Sequence, residues 1–326
     1  MKQLGTFLLL VFVSTCSAQG TFKRTLMKMG SRFEITVVAA DSTSANEHIE
    51  TAIAEIDRIE KLISSWDEHS QTSEINRNAG LRPVQVDVEL LDLIERAIGI
   101  STLTDGAFDI SYASMDRIWH FDGSMKSMPT DEAIKASVAK VGYENIVLDR
   151  AAGTVYLKLK GMRIGFGAIG KGYAADRAKD LLMAKGVQSG IINASGDMNT
   201  WGKQVDGSEW KVAITNPLEK NNAFALLPIS NGAVVTSGNY EKYVEFDGKR
   251  YSHIIDPRTG YPSKGIISVT VFAPKAELAD ALATSVFVMG IDAGLDRINQ
   301  LPKIECVIID DQGNITKSDN IKIDKL

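Results

Sequence analysis

Two cysteines and eight prolines in 326 residues, no run of lysine or arginine, and no apolar stretch of bilayer length set the first limits on this chain. Cys16 and Cys306 sit at opposite ends, so no disulfide framework can staple a small scaffold. A formal net charge of −5 without a basic stripe leaves no electrostatic footprint for nucleic acid. No internal repeat or low-complexity tract appears after residue 20. His, Cys and Glu nowhere fall at zinc-site spacing, and no Gly-x-Ser-x-Gly elbow exists, which removes the usual zinc and serine-hydrolase signatures. Gly170-Lys171 is followed by Gly172 rather than Ser or Thr, so it is not a Walker A loop.

What is present is ordinary globular composition, 44% hydrophobic and 24% charged. Such a chain can bury one large core or two modest ones. At the N-terminus, Lys2 precedes an apolar run over residues 4–13 and a small-residue stretch ending at Ala18, the pattern of an export signal. The run is shorter than the roughly 20 residues that span a bilayer. Two exits are consistent with it: cleavage after Ala18, the better fit, or a lipobox ending before Cys16, where Thr15 is an unusual neighbour for a lipidated cysteine. Export to the periplasm follows from either, with an inner-membrane lipid anchor in the second.

Residues 22–326 read as one compact domain of mixed α+β class, because strands and helices mingle without strict βαβ alternation. A strand is expected over 33–40. A helix follows, with Ser44 and Glu47 as a capping pair and Ile49, Ile53, Ile56, Ile59 and Ile63 at helical spacing. Further helices are expected over 88–103, 131–140, from the glycine loop to Gly186, and over 276–289. Strands are expected over 145–149, 154–160, 162–166, 190–194, 268–273 and 305–309, and Asn231-Gly232 and Asp247-Gly248 read as turns.

Three polar clusters could carry chemistry. Glycines over 165–172 end a strand and open a helix, where backbone N–H groups and the helix dipole can receive an anion, with Lys171 adding charge; a tight structural turn explains the same residues equally well. Asp280 and Thr284 lie four apart on one helix face and could share a hard cation. An Asp–Thr hydrogen bond on a wet face is the plainer reading, but the apolar neighbours argue for a half-buried carboxylate that needs a partner. His253, alone among four histidines in a polar, turn-rich flank, could serve as a general base or be a structural histidine. Pro257 and Gly260 bound a turn that places Arg258 or Thr259 near a ligand, or is simply a turn.

Taken in order, these segments resemble the ApbE family of flavin transferases. The resemblance rests on Met29-Gly30-Ser31, on Ser64-Ser65-Trp66 with Ser73-Glu74-Ile75-Asn76, and on Gly106-Ala107-Phe108-Asp109-Ile110. It continues through GAIGKGYAAD at 167–176, INASGD at 192–197, TSGNY at 236–240, HIIDPRTGYP at 253–262 and ADALAT at 279–284. It implies a T-fold-like architecture, bound FAD and Mg²⁺, and transfer of FMN from FAD to a Thr or Ser hydroxyl of an acceptor flavoprotein subunit with release of AMP. Subunits of membrane redox-driven ion pumps are the acceptors it implies. By the same resemblance the Mg²⁺ ligands would be the Ala168 carbonyl, Asp280 and Thr284. FAD contacts would come from Met29, Trp66, Ala107, Phe108, Asp109, Lys171 and Ile254, with His253 as the base. Trp66 and Phe108 offer flat faces for a ring, or ordinary core packing. Gly165 stands where the family carries Asp, and Ser195 where it carries Gly. A Mg²⁺-dependent FAD pyrophosphatase and a non-catalytic periplasmic FAD carrier are the rival readings.

Overall fold

The computed structural model describes residues 19–215, 223–239, 243–246 and 248–321. The export signal, Cys16, Tyr240 and Asp247 lie outside them. In chain order the elements are β1 (Gly20–Lys28), β2 (Ser31–Ala39), α1 (Ser42–Ile63), α2 (Gln71–Arg77), β3 (Val84–Gln85) and α3 (Val88–Leu103). Then come α4 (Asp131–Ser137), β4 (Ile146–Asp149), β5 (Thr154–Leu157), α5 (Gly170–Ala184), β6 (Gly190–Ala194), β7 (Asp197–Trp201), β8 (Trp210–Thr215) and β9 (Ala223–Ile229). The chain continues through β10 (Gly232–Gly238), β11 (Tyr243–Phe246), β12 (Lys249–Ser252), β13 (Ile266–Ala273), α6 (Ala276–Met289), α7 (Ile291–Asn299), β14 (Glu305–Asp310) and β15 (Ile315–Lys317).

The main sheet has the order β1-β2-β6-β7-β10-β13-β14-β15. Every strand pairing among the described residues is antiparallel, which makes the fold α+β and not doubly wound. Phe33, Ile35 and Val37 of β2, Ile192 of β6, Val235 of β10 and Val269 and Val271 of β13 form one core with α1, α5 and α6. A second core lies beneath the small sheet β3-β5-β4, where α2 and α3 meet the end of α1. The cores share α5 and α6. Ala174 and Ala281 face the second core, while Ala175, Ala178, Ala279 and Leu282 face the first. The small side chains let the two helices approach closely, and the seam between the cores runs along them.

Sequence pattern and structure differ in three instructive places. Helix α1 starts at Ser42 and is capped by Asp41, whose carboxylate accepts from the Ser44 amide at 2.8 Å while the Ser44 hydroxyl accepts from the Asp41 amide. The expected Ser44–Glu47 pair is therefore displaced by one turn, which puts His48 in the second turn of α1. Residues 162–166 are not a strand although Met162, Ile164 and Phe166 alternate inward. Asn76 bonds both the amide and the carbonyl of Ile164 (2.7 and 3.0 Å), and the Ser114 hydroxyl does the same for Arg163 (2.7 and 2.8 Å). Side chains satisfy that backbone where a ladder would have. Strand β1, which sequence pattern did not mark, pairs with β2 along its whole length as an edge strand of alternating burial. Among the described residues no helix is long and apolar enough to cross a membrane.

Candidate active site

A cavity of about 470 Å³ opens at the seam between the two cores. Its lining contains Ala107, Phe108, Asp109, Ala168, Lys171, His253, Ile254, Asp280 and Thr284, nine residues singled out from sequence and drawn from four separate segments. Met29 and Trp66 are not among its lining residues. Met29 packs against both cores at a positive φ of 49°. Trp66 is 79% exposed, with the Arg117 guanidinium 5.0 Å above its ring.

The glycine loop divides its labour. A Cβ on Gly172 would stand 2.3 Å from the carbonyl oxygen of Ala276, and one on Gly170 would meet Ile63 at 2.7 Å, so both serve close packing of α5. Gly167 faces open space at the cavity wall. Gly165 lies outside the cavity lining; a Cβ there would approach Ala113 at 3.1 Å.

The cavity has a charged centre, built from three elements. Lys171, in the first turn of α5, places Nζ 2.5 Å from the Asp197 carboxylate and 3.7 Å from that of Asp280. Asp197 heads β7 and Asp280 lies on α6, and both side chains are about 95% buried. Burial, then the charge of Asp280, pushes the Asp197 carboxyl well above its ordinary pKa. Burial works against the Lys171 ammonium, but Asp280 and Asp197 outweigh it and hold its pKa above the ordinary value. One cation serves two buried carboxylates, so this centre is short of one positive charge when both are ionised. Thr284 extends the donor set, its hydroxyl 3.5 Å from that of Ser237. Among the described residues no three His, Cys, Asp or Glu side chains cluster around a metal position. A cation here would draw on the Asp280 carboxylate, the Thr284 hydroxyl and the Ala168 carbonyl, oxygen donors that suit a hard ion completing its shell with water or phosphate.

In the same lining, His253 follows β12, and its ring stands nearly perpendicular to that of Phe121 with the centroids 6.3 Å apart. Phe121 stacks on Trp119, which stacks on Tyr251 and donates its indole N–H to the Gly260 carbonyl at 3.0 Å. Gly260 has φ +78° and abuts Ile134, so this turn requires glycine. Arg258 is held by Asp256 and by the Asp105 carbonyl, outside the cavity lining, and Thr259 is likewise outside it. The 256–260 turn is therefore structural, although Pro257 reaches the cavity. Asp109 faces the cavity but spends its carboxylate on the amides of Ser111 and Tyr143 at 2.7 and 2.8 Å, and burial raises its pKa. Tyr112 closes the same wall, its phenol pushed up to about 12 by burial.

Sequence reasoning did not assign a role to Asp197 or Ser237. The available signal for Asp197 was its place directly after the Ser195-Gly196 turn that ends the apolar strand over 190–194. A larger groove of about 830 Å³ lies between α3, α5 and α6, but it contains none of the predicted residues. Its charged groups are already matched, as in Arg96–Glu277, Lys275–Asp180 and Arg177–Glu89.

The profile of the ApbE family matches residues 29–308. The chain is 34% identical over 269 residues to the FAD:protein FMN transferase of Salmonella typhimurium, covering 80% of this chain and 77% of that protein. It is 32% identical to the FAD:protein FMN transferase of Treponema pallidum, over 83% and 78% of the two chains. The crystal structure of the ApbE protein from Thermotoga maritima superposes with a TM-score of 0.83 at 31% identity, covering 92% of this chain and 97% of that one. The flavin transferase ApbE from Vibrio cholerae gives a TM-score of 0.80 at 27% identity, with the same coverage.

Proposed function

Since the chain belongs to the ApbE family, we propose that it is a Mg²⁺-dependent FAD:protein FMN transferase acting on an exported acceptor. The observation that carries this reading is the charged centre in which Lys171 faces Asp197 and Asp280, with His253 lining the same cavity. A pyrophosphate brings negative charge, and an ammonium and helix N-terminal amides beside it lower the cost of that charge.

In the proposed reaction the hydroxyl of an acceptor Thr or Ser attacks the phosphorus on the riboflavin side of FAD. His253 takes the hydroxyl proton, the new O–P bond forms, the bridging P–O bond breaks, and AMP leaves with the electron pair. Lys171 holds the pyrophosphate, while Ala107, Phe108 and Ile254 supply the apolar wall for a ring. Mg²⁺, bound through Asp280, Thr284 and the Ala168 carbonyl, would neutralise charge on the phosphates. The acceptor we propose is a flavoprotein subunit of a membrane redox-driven ion pump. The signal-like pattern over residues 1–18 supports export to the periplasm, where such an acceptor domain would be met.

The test is incubation of the purified protein with FAD, Mg²⁺ and a candidate acceptor, read by intact mass and AMP release. An acceptor gaining the mass of FMN, with AMP appearing in step, is the expected result. Free FMN and AMP without an acceptor would make the protein a pyrophosphatase. Bound FAD with no AMP under either condition would make it a carrier.

A further inference from the structure

Helix α6 carries Asp280 and Thr284, yet its own N-cap residue, Lys275, makes no side-chain cap bond. The first amides of a helix have no partner within it and must find one elsewhere. Here they find it on another helix. Asp176 of α5, 3% exposed, accepts from the amide of Ala276 at 2.9 Å on one carboxylate oxygen and from that of Glu277 at 3.0 Å on the other. The first oxygen also accepts from the side-chain amide of Asn199 on β7. Asn199 is fully buried, and its own oxygen accepts from Lys179 at 2.8 Å, one turn further along α5. Lys179 also donates to the Thr200 carbonyl and to Asn231, so the α5–β7 junction is fixed at several points.

One carboxylate therefore ties together the three elements that supply the charged centre: α5 with Lys171, β7 with Asp197, and α6 with Asp280 and Thr284. The contact has little room for adjustment, because Gly172 already brings α5 against the Ala276 backbone. We propose that Asp176 is a positioning residue, which sets where Asp280 and Thr284 stand relative to Lys171 and Asp197. It touches no reacting atom and acts through the placement of α6. This inference rests on reading the cavity as a divalent-cation and FAD site.

The test uses Mn²⁺ as the probe ion, titrated into the full chain without FAD and followed by electron paramagnetic resonance. Asp176→Asn keeps the shape but offers one acceptor oxygen in place of two, so an amide of α6 or Asn199 loses its partner. Mn²⁺ binding is expected to weaken about tenfold or more, the usual scale for removing a group that orients metal ligands. A second chain, Asp176→Asn with Lys275→Ser, gives α6 a local N-cap that replaces the lost amide partner without restoring the tie to α5. Its melting temperature should recover while its Mn²⁺ affinity stays low. Recovery of affinity in the double variant would show that Asp176 only caps a helix, and would overturn the proposal. Asp280→Ala separates the two readings. If it binds Mn²⁺ as the unaltered chain does, the cavity is not the cation site. If it loses binding while Asp176→Asn retains it, the cavity reading stands and the positioning role falls.

Discussion

Lys171 and Asp197 form an ion pair of 2.5 Å, in which the carboxylate side is almost sealed from water. With Asp280 at 3.7 Å from the same ammonium, the three groups carry one uncompensated negative charge when both carboxylates are ionised. Lys171→Met leaves two buried carboxylates facing one another, and breaking a buried pair in this way costs about 3 kcal/mol or more. The loss should be larger at about pH 8 than at about pH 5, because Asp197 already binds its proton more readily than an ordinary aspartate and protonation removes the repulsion. Melting temperatures at both pH values check this. An equal loss at the two would contradict the assignment of the charge deficit.

His253→Ala should keep FAD binding and slow transfer by about 10²–10⁴, the range for a general base. Fluorescence titration with FAD, alongside the rate of acceptor flavinylation, separates the two effects. A variant that transfers normally would mean that the hydroxyl proton leaves by another route.

Ser195 sits at φ +59° in the turn between β6 and β7, followed by Gly196 at φ +104°. A side chain in the left-handed region costs about 1–2 kcal/mol, of which glycine's greater chain entropy returns part. Ser195→Gly should therefore raise stability by up to about 1 kcal/mol, and Ser195→Val should lower it by at least as much. Chemical denaturation of the three chains gives the order directly.

Asp176 has its pKa raised to about 6, chiefly by burial, against a smaller opposing effect of the Glu277 and Ala276 amides and of Lys275; the charge of Glu277 adds to the rise. Between about pH 4 and pH 6 the folded chain thus binds more protons here than the unfolded chain does. The stability from this group is greatest below that window, falls as pH rises through it, and is flat above, with a span of about 3 kcal/mol at most. Asp176→Asn removes the dependence. The difference in stability between the two chains, measured across the window, should shrink with rising pH.

Cys306 is fully buried on β14, and burial pushes its thiol up to about 12. It should resist alkylation in the folded protein and react once the chain is denatured, with peptide mapping to read this position alone. Rapid native labelling would mean that β14 opens locally.

Much of the framework was legible because it depends on local pattern. Helices over 88–103 and 276–289 and the strand over 190–194 occupy the residues that their apolar spacing marks, since one buried stripe or face is enough to specify each. Local pattern misled where side chains did the work of a ladder, as Asn76 and Ser114 do for residues 163–164, because inward alternation looks the same whatever satisfies the backbone. It was silent on β1, whose alternation mixes charge with modest burial at an edge.

The composition of the site was also written in the chain: a lysine in a glycine loop, an Asp–Thr pair on a helix, and a histidine beside a turn. Only the tertiary structure decided that these share one cavity, that Asp109 is spent on capping, that Trp66 stands in solvent, and that Asp197 completes the charged centre. The physical reason is that the pKa of a carboxylate and its need for a partner depend on desolvation by every element packed around it. Periodicity along one segment specifies which face is buried. The charges that meet there are fixed by the packing of α5, α6 and β7 against one another.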